Sequence, residues 1–125
     1  MTKTAVLNQF FSSFGIPAFE ENTVPSGADA PQYPYLTYGV ATDSLGAELP
    51  LPISLWYRSS SWSEVNAKTE EISAAIGRGG KVLLCDGGAV WIRRGSPFAQ
   101  SMGDPADDLI KRKYINITAE FLTAD

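Results

Sequence analysis

The sequence has no histidine, and Cys85 is its single cysteine. Without histidine the chain lacks the side chain most often used as a general base and most often found on a transition metal. One cysteine cannot close an internal disulfide, so a cytoplasmic chain is the simpler expectation. Cys85 has no imidazole to activate it and follows the apolar run Val82-Leu83-Leu84, so it reads as a packing residue rather than a nucleophile. No stretch reaches the roughly 18 uninterrupted apolar residues of a membrane span. The N-terminal residues do not read as a signal peptide, because Asn8, Gln9, Ser12 and Ser13 interrupt the apolar positions. Positive charge is also short. Ten Lys and Arg stand against 14 Asp and Glu, for a net charge of -4, which argues against a protein that grips nucleic acid by neutralising phosphates. No internal repeat is visible.

What remains is the composition of a single globular domain spanning residues 1–125. The chain has 125 residues, 44% of them hydrophobic and 19% charged, enough to bury about two thirds of its unfolded surface.

The stretch Glu48–Ile76 organises the rest. Leu51, Ile53, Leu55 and Tyr57 alternate with Pro52, Ser54, Trp56 and Arg58, a period of two that predicts a strand with one buried face. After the polar turn Arg58-Ser59-Ser60-Ser61 the spacing becomes Trp62, Val65, Thr69, Ile72, Ile76, one stripe of a helix over Ser63–Ile76. Ser61 and Glu64 match a capping box at its start. Gly77-Arg78-Gly79-Gly80 ends it.

Before this stretch, Val6, Leu7, Phe10, Phe11 and Phe14 mark the apolar face of a first helix over Thr4–Phe14, stopped by Gly15 and Pro17. Ala18–Val24 fits a short strand or an extended arm. Pro25–Pro34 is a loop by composition, and Tyr35–Thr42 reads as a strand antiparallel to Leu51–Tyr57. Pro50 and Pro52 cannot donate to a ladder, which predicts that the second strand begins at a sheet edge or beyond the sheet. After the second helix, Lys81–Cys85 and Ala89–Arg94 form a hairpin about Asp86-Gly87-Gly88. Gly95–Asp108, rich in Gly, Ser, Pro and Asp, reads as a long surface loop. Lys111–Leu122 has the cleanest alternation in the chain and predicts a last strand, with Asp125 directly after it. The expected fold is a two-layer α+β domain: a mostly antiparallel sheet of four to five strands with two helices on one face, in the order α-β-β-α-β-β-β.

No constellation here supports catalysis. Gly77–Gly80 with Lys81 follows a helix instead of preceding one, so its partial likeness to a phosphate loop reduces to a helix stop. Asp104, Asp107 and Asp108 do not have the spacing of a calcium loop and read as solvated. The adjacent pairs Glu20-Glu21 and Glu70-Glu71 diverge on a strand or helix. Arg93-Arg94 and Lys111-Arg112-Lys113 are basic patches that could contact a nucleic acid, but the overall acidity favours carboxylates or a protein partner. Trp56 leaves two readings open. It is either core or, on the face opposite Leu55 with Ser54 and Arg58, the anchor of an interface.

The order of parts resembles the tail terminator (tail completion) proteins of long-tailed bacteriophages and prophages. The resemblance is carried by the N-terminal helix AVLNQFFSSFG and the proline-led strand Tyr33-Pro34-Tyr35-Leu36-Thr37-Tyr38. It continues in Ile53–Tyr57 leading through a serine turn into Ser63-Glu64-Val65, and in the closing strand Tyr114–Phe121. The resemblance implies a non-enzymatic virion protein with no cofactor and no metal. It would form a homo-oligomeric ring, commonly hexameric, assembled in the bacterial cytoplasm and carried in the virion tail. Its partners would be the tail tube protein and the head-tail connector protein, with no sequence-specific nucleic acid and no membrane. The surface expected to carry these contacts comprises Pro50 and Pro52 at the proline-marked edge and Trp56, Arg58, Arg93 and Arg94 from the strands. Phe98, Asp104, Asp107 and Asp108 join them from the long loop. A net-negative ring would also let DNA pass without sticking. The competing expectation is a small cytoplasmic binding or adaptor module that takes a ligand or peptide on the sheet face around Trp56. A weaker one is an enzyme using carboxylates alone, with Asp86 or Asp104.

Overall fold

A computed structural model describes residues 1–124; Asp125, expected to follow the last strand directly, lies outside the described residues. The first helix, α1 (Lys3–Phe11), opens with the Thr2 hydroxyl accepting from the Ala5 N–H at 3.1 Å, which satisfies one of the free amides of a helix start. A 3-10 turn, Ser12–Phe14, extends it, and Gly15 leaves it with φ +81°, a left-handed geometry that costs glycine little. The five apolar residues expected on its stripe are all buried. The second helix, α2 (Ser63–Ile76), buries Val65, Thr69, Ile72 and Ile76.

The capping box is not formed. Trp62 takes the cap position without a side-chain bond, and the Ser61 hydroxyl accepts from the Ser63 N–H at 3.1 Å. The serine run folds as successive local turns, Ser59 onto Ser61 and Ser61 onto Ser63. These hold the hydroxyl too early in the chain to reach the Glu64 amide.

The strands are β1 (Ala18–Glu20), β2 (Tyr35–Tyr38), β3 (Leu49–Arg58), β4 (Lys81–Cys85), β5 (Gly88–Asp104) and β6 (Asp107–Thr123). They form one six-stranded sheet ordered β1-β2-β3-β6-β5-β4. The expected layers are present, but the sheet has six strands, not four to five, and is mixed, because β1 runs parallel to β2. One boundary is corrected. The strand predicted over Tyr35–Thr42 ends at Tyr38, so the connection to β3 is longer than expected. The prolines mark a local edge, as expected: β3 lies between β2 and β6, but its start is paired on the β6 side alone. Pro50 and Pro52 pair with Thr118 and Asn116 of β6, and the register with β2 begins only at Ile53. Gly39 N–H donates to Pro52 O at 2.9 Å, so the proline ring nitrogens face the side that lacks a strand, and no ladder donor is lost.

The largest correction concerns Gly95–Asp108, which is not a loop. β5 and β6 are each 17 residues long and form one hairpin whose tip is Pro105-Ala106. The register slips between Arg94 and Ala99, so Gly95–Phe98 stand opposite Asn116 alone, a bulge that keeps both halves of the strand paired. Asn116 Nδ2 holds it by donating to Pro97 O at 2.9 Å. A Cβ on Gly95 would lie 2.9 Å from Asn116 O, so the bulge needs a glycine there.

Both helices cover one face of the sheet. Leu36 and Tyr38 of β2, Leu51–Tyr57 at alternate positions of β3, Val90 and Ile92 of β5, and Ile115–Phe121 at alternate positions of β6 point into that core. The helices are tied side by side where Lys68 Nζ donates to Phe14 O at 2.6 Å. Each fully buried large side chain contributes about 1.5–3 kcal/mol.

Candidate interaction surface

The face of the sheet away from the helices carries no covering layer among the described residues. Strand alternation gives it Tyr35 and Thr37 from β2, Ser54 and Trp56 from β3, and Arg112 and Tyr114 from β6, in cross-strand register. Trp56 is half-buried here. Its indole N–H donates to Thr37 Oγ1 at 2.9 Å, and its ring stacks on Tyr35 with centroids 6.1 Å apart and an interplanar angle of 15°. Tyr33 and Phe19 extend the row through Tyr35. The Arg112 guanidinium lies 4.7 Å from the Trp56 ring and donates twice to Ser54 Oγ at 3.1 Å. Set over an indole and tied to a hydroxyl, that cation is held against the sheet. Burial, then the neighbouring Tyr33, raises the Tyr35 pKa, so that phenol stays neutral at physiological pH. Burial likewise raises that of Tyr57 on the core side, with Glu64 and Glu71 adding to it.

Below this row the hairpin tip forms a hollow of about 220 Å³ lined by Trp56, Met102, Asp104, Pro105, Ile110 and Arg112. Met102 is exposed. Apolar walls with one cation and one carboxylate suit a partner's side chain better than a reacting substrate.

The residues expected at an interface do not converge on one place. Trp56 and Asp104 share the hollow. Arg58 and Asp107 meet beside it at 3.2 Å. Asp107 also accepts from the Leu109 N–H at 3.0 Å, and Asp104 from the Ala106 N–H at 2.8 Å. The Leu109 bond first, and Arg58 after it, hold the Asp107 carboxyl below its ordinary range. The Asp108 carbonyl accepts from Lys111 Nζ. Among the described residues no group of three His, Cys, Asp or Glu could hold a metal ion.

Arg93 and Arg94 point to opposite faces. Arg93 lies on the open face, 3.9 Å from the Trp91 ring, paired with Glu48 and with Glu120 at 2.9 Å. Arg94 donates to Ser73 of α2 at 2.9 Å. Phe98 packs against the core from the bulge. Pro50 and Pro52 are on the same face as Trp56 but outside the hollow. The basic run Lys111-Arg112-Lys113 is split by the same alternation. Arg112 joins the aromatic row, while Lys111 and Lys113 sit 5.7 Å and 5.8 Å from the Trp62 ring on the helix side. Cys85 is half-buried against the core edge.

Sequence reasoning missed Tyr35, Arg112 and Met102. The signal for the first two was the alternation already used for Trp56, carried across the pairing to β2 and β6. Met102 had no signal while its segment read as a loop.

No protein-family model matches the chain, and no curated protein matches it. Among solved structures it is similar to a chain in the virion of a native gene transfer agent particle. The two share 20% sequence identity over 94% of this chain and 92% of that chain, with a TM-score of 0.60. The likeness is one of fold, and it covers nearly the whole of both chains.

Proposed function

We propose that this chain is a structural component of a phage-like particle, a non-enzymatic ring protein that caps the tail tube and joins it to the head connector. The observation that carries the reading is the shared fold over nearly the whole of both chains with a chain of a gene transfer agent virion. The surface chemistry agrees with it. The aromatic row, the hollow at the hairpin tip and the tethered Arg112 form a firm, mostly apolar face suited to another protein. Of the two carboxylates weighed for catalysis, Asp104 accepts from the Ala106 N–H and Asp86 pairs with the N-terminal ammonium of Met1. Subunits repeated around an axis need two different surfaces that fit each other, and the open face and the sheet edges supply different surfaces.

Light scattering of the purified protein, with negative-stain imaging, tests this reading. Ring-shaped particles several subunits in mass are expected. Removing the gene from the particle that encodes it should leave heads and tails unjoined. A protein that stays monomeric both alone and with its tail tube protein would refute the proposal.

A further inference from the structure

β1 and β4 are the two end strands of the sheet, each paired on one side only. At β4 the two-residue turn Asp86-Gly87 sets Cys85 opposite Gly88. Antiparallel alternation then directs the N–H and C=O groups of Lys81, Leu83 and Cys85 at β5 and turns those of Val82 and Leu84 outwards. The same two residues are exposed in their side chains, Val82 at 54% and Leu84 at 80%. Beside them, between β4 and α1, runs a groove of about 480 Å³ lined by Val6, Gln9, Phe10, Lys81, Val82 and Leu84. A strand edge that is open in its backbone and apolar in its side chains accepts another strand.

The charges name the occupant. Between Lys3 and Arg58 the chain has no lysine or arginine, but it carries Glu20, Glu21, Asp29, Asp43 and Glu48. The β1 end of the sheet is therefore built from sequence of one sign. There Glu21 N–H donates to Tyr38 O and Pro17 O accepts from Leu36 N–H, so alternation turns the N–H groups of Ala18 and Glu20 outwards, while Glu20 O accepts from Thr23 and the Glu20 carboxylate from Asn22. At the β4 end stand Arg78 and Lys81, both exposed. Among the described residues they are the cationic side chains held by no hydrogen bond, ion pair or ring.

We infer that the β4 edge of one copy seats the β1 edge of the next, with Arg78 and Lys81 facing Glu20 and Glu21. The two edges lie at opposite ends of one sheet, so the contact is head-to-tail and repeats from copy to copy. The inference rests on the oligomeric reading above and adds which surfaces meet.

A charge exchange tests it. One variant carries Arg78→Glu with Lys81→Glu, the other Glu20→Lys with Glu21→Lys. Each alone has two end strands of like sign and is expected to lose the oligomer in light scattering while keeping the wild-type circular dichroism and Tm. Mixed in equal amounts, the two have complementary ends and are expected to regain the oligomer as an alternating ring. Leu84→Pro, which deletes one outward N–H and spares the ladder to β5, should also lose it, with Leu84→Ala as the control for the side chain. Folded variants that assemble alone, or that fail to assemble when mixed, overturn the pairing of these edges and leave the ring reading standing. A wild-type protein that is monomeric alone and with its tail tube protein overturns both.

Discussion

Asp107 shows how much one carboxylate can set at the tip of a hairpin. Its pKa is depressed by the Leu109 N–H and by Arg58. A carboxyl whose folded pKa lies below its unfolded value contributes order that is present above about pH 4 and is lost as the pH falls through the lower, folded value. Protection of the Leu109 amide, measured as its exchange relative to the intrinsic rate at each pH, is expected to fall over that acid window in the wild type. In Asp107→Asn that protection should be lower already at neutral pH and show no such step. In the core, Phe11 is fully buried and lies 4.5 Å from the Tyr38 ring. Phe11→Ala should cost about 3–5 kcal/mol in denaturant unfolding. Residue roles of this second kind were legible in the sequence. The helical spacing of Val6, Leu7, Phe10, Phe11 and Phe14 and the strand alternation of Ile115, Ile117, Ala119 and Phe121 each assigned a core face correctly. The role of Arg112 was not, because a run of three basic residues looks uniform until alternation splits it between two faces.

Among the elements, the two helices and β3 followed from periodicity alone, while half of β5 did not. Ala99, Gln100, Ser101, Met102 and Gly103 are small, polar or flexible, and nothing in their order separates a strand from a loop. What makes them a strand is the neighbour: β6 offers them a continuous ladder from Ile115 to Lys111, and pairing overrides weak local preference. The prolines of β3 located the unpaired start of the strand but not its place in the sheet. A missing donor says which side of a strand is unpaired, but not whether the strand is central. Gly88 opens β5 with φ +151°, and a Cβ there would meet the Leu122 carbonyl. Gly88→Ala is therefore expected to lower stability by about 1–3 kcal/mol from backbone strain alone and to disturb the β4–β5–β6 register first. A Tm unchanged from wild type would contradict that.

Over the whole molecule, the two-layer architecture was readable because one strand-to-helix switch, at Arg58–Trp62, fixed which periodicity ruled on each side of it. The strand order was not readable, since β1 joins the sheet through three residues and β3 meets β6 across more than fifty residues of chain. The same scale governs how the protein treats DNA. Net charge is -4, and Arg112, Lys111 and Lys113 are engaged by rings and side chains of their own chain. Duplex DNA should show no measurable retention by the purified protein in a gel-shift or anisotropy titration at physiological salt. Tight binding that falls with added salt would mean that a phosphate-tracking surface exists.

The two prolines of β3 have a further consequence. They sit where the central strand overhangs its neighbour, and there they deny a stray peptide the amides it would need. Val82 and Leu84 have no such guard. Until copies have closed on one another that margin is bare, and insoluble material should grow from it. A proline placed at position 84 would then raise the soluble yield.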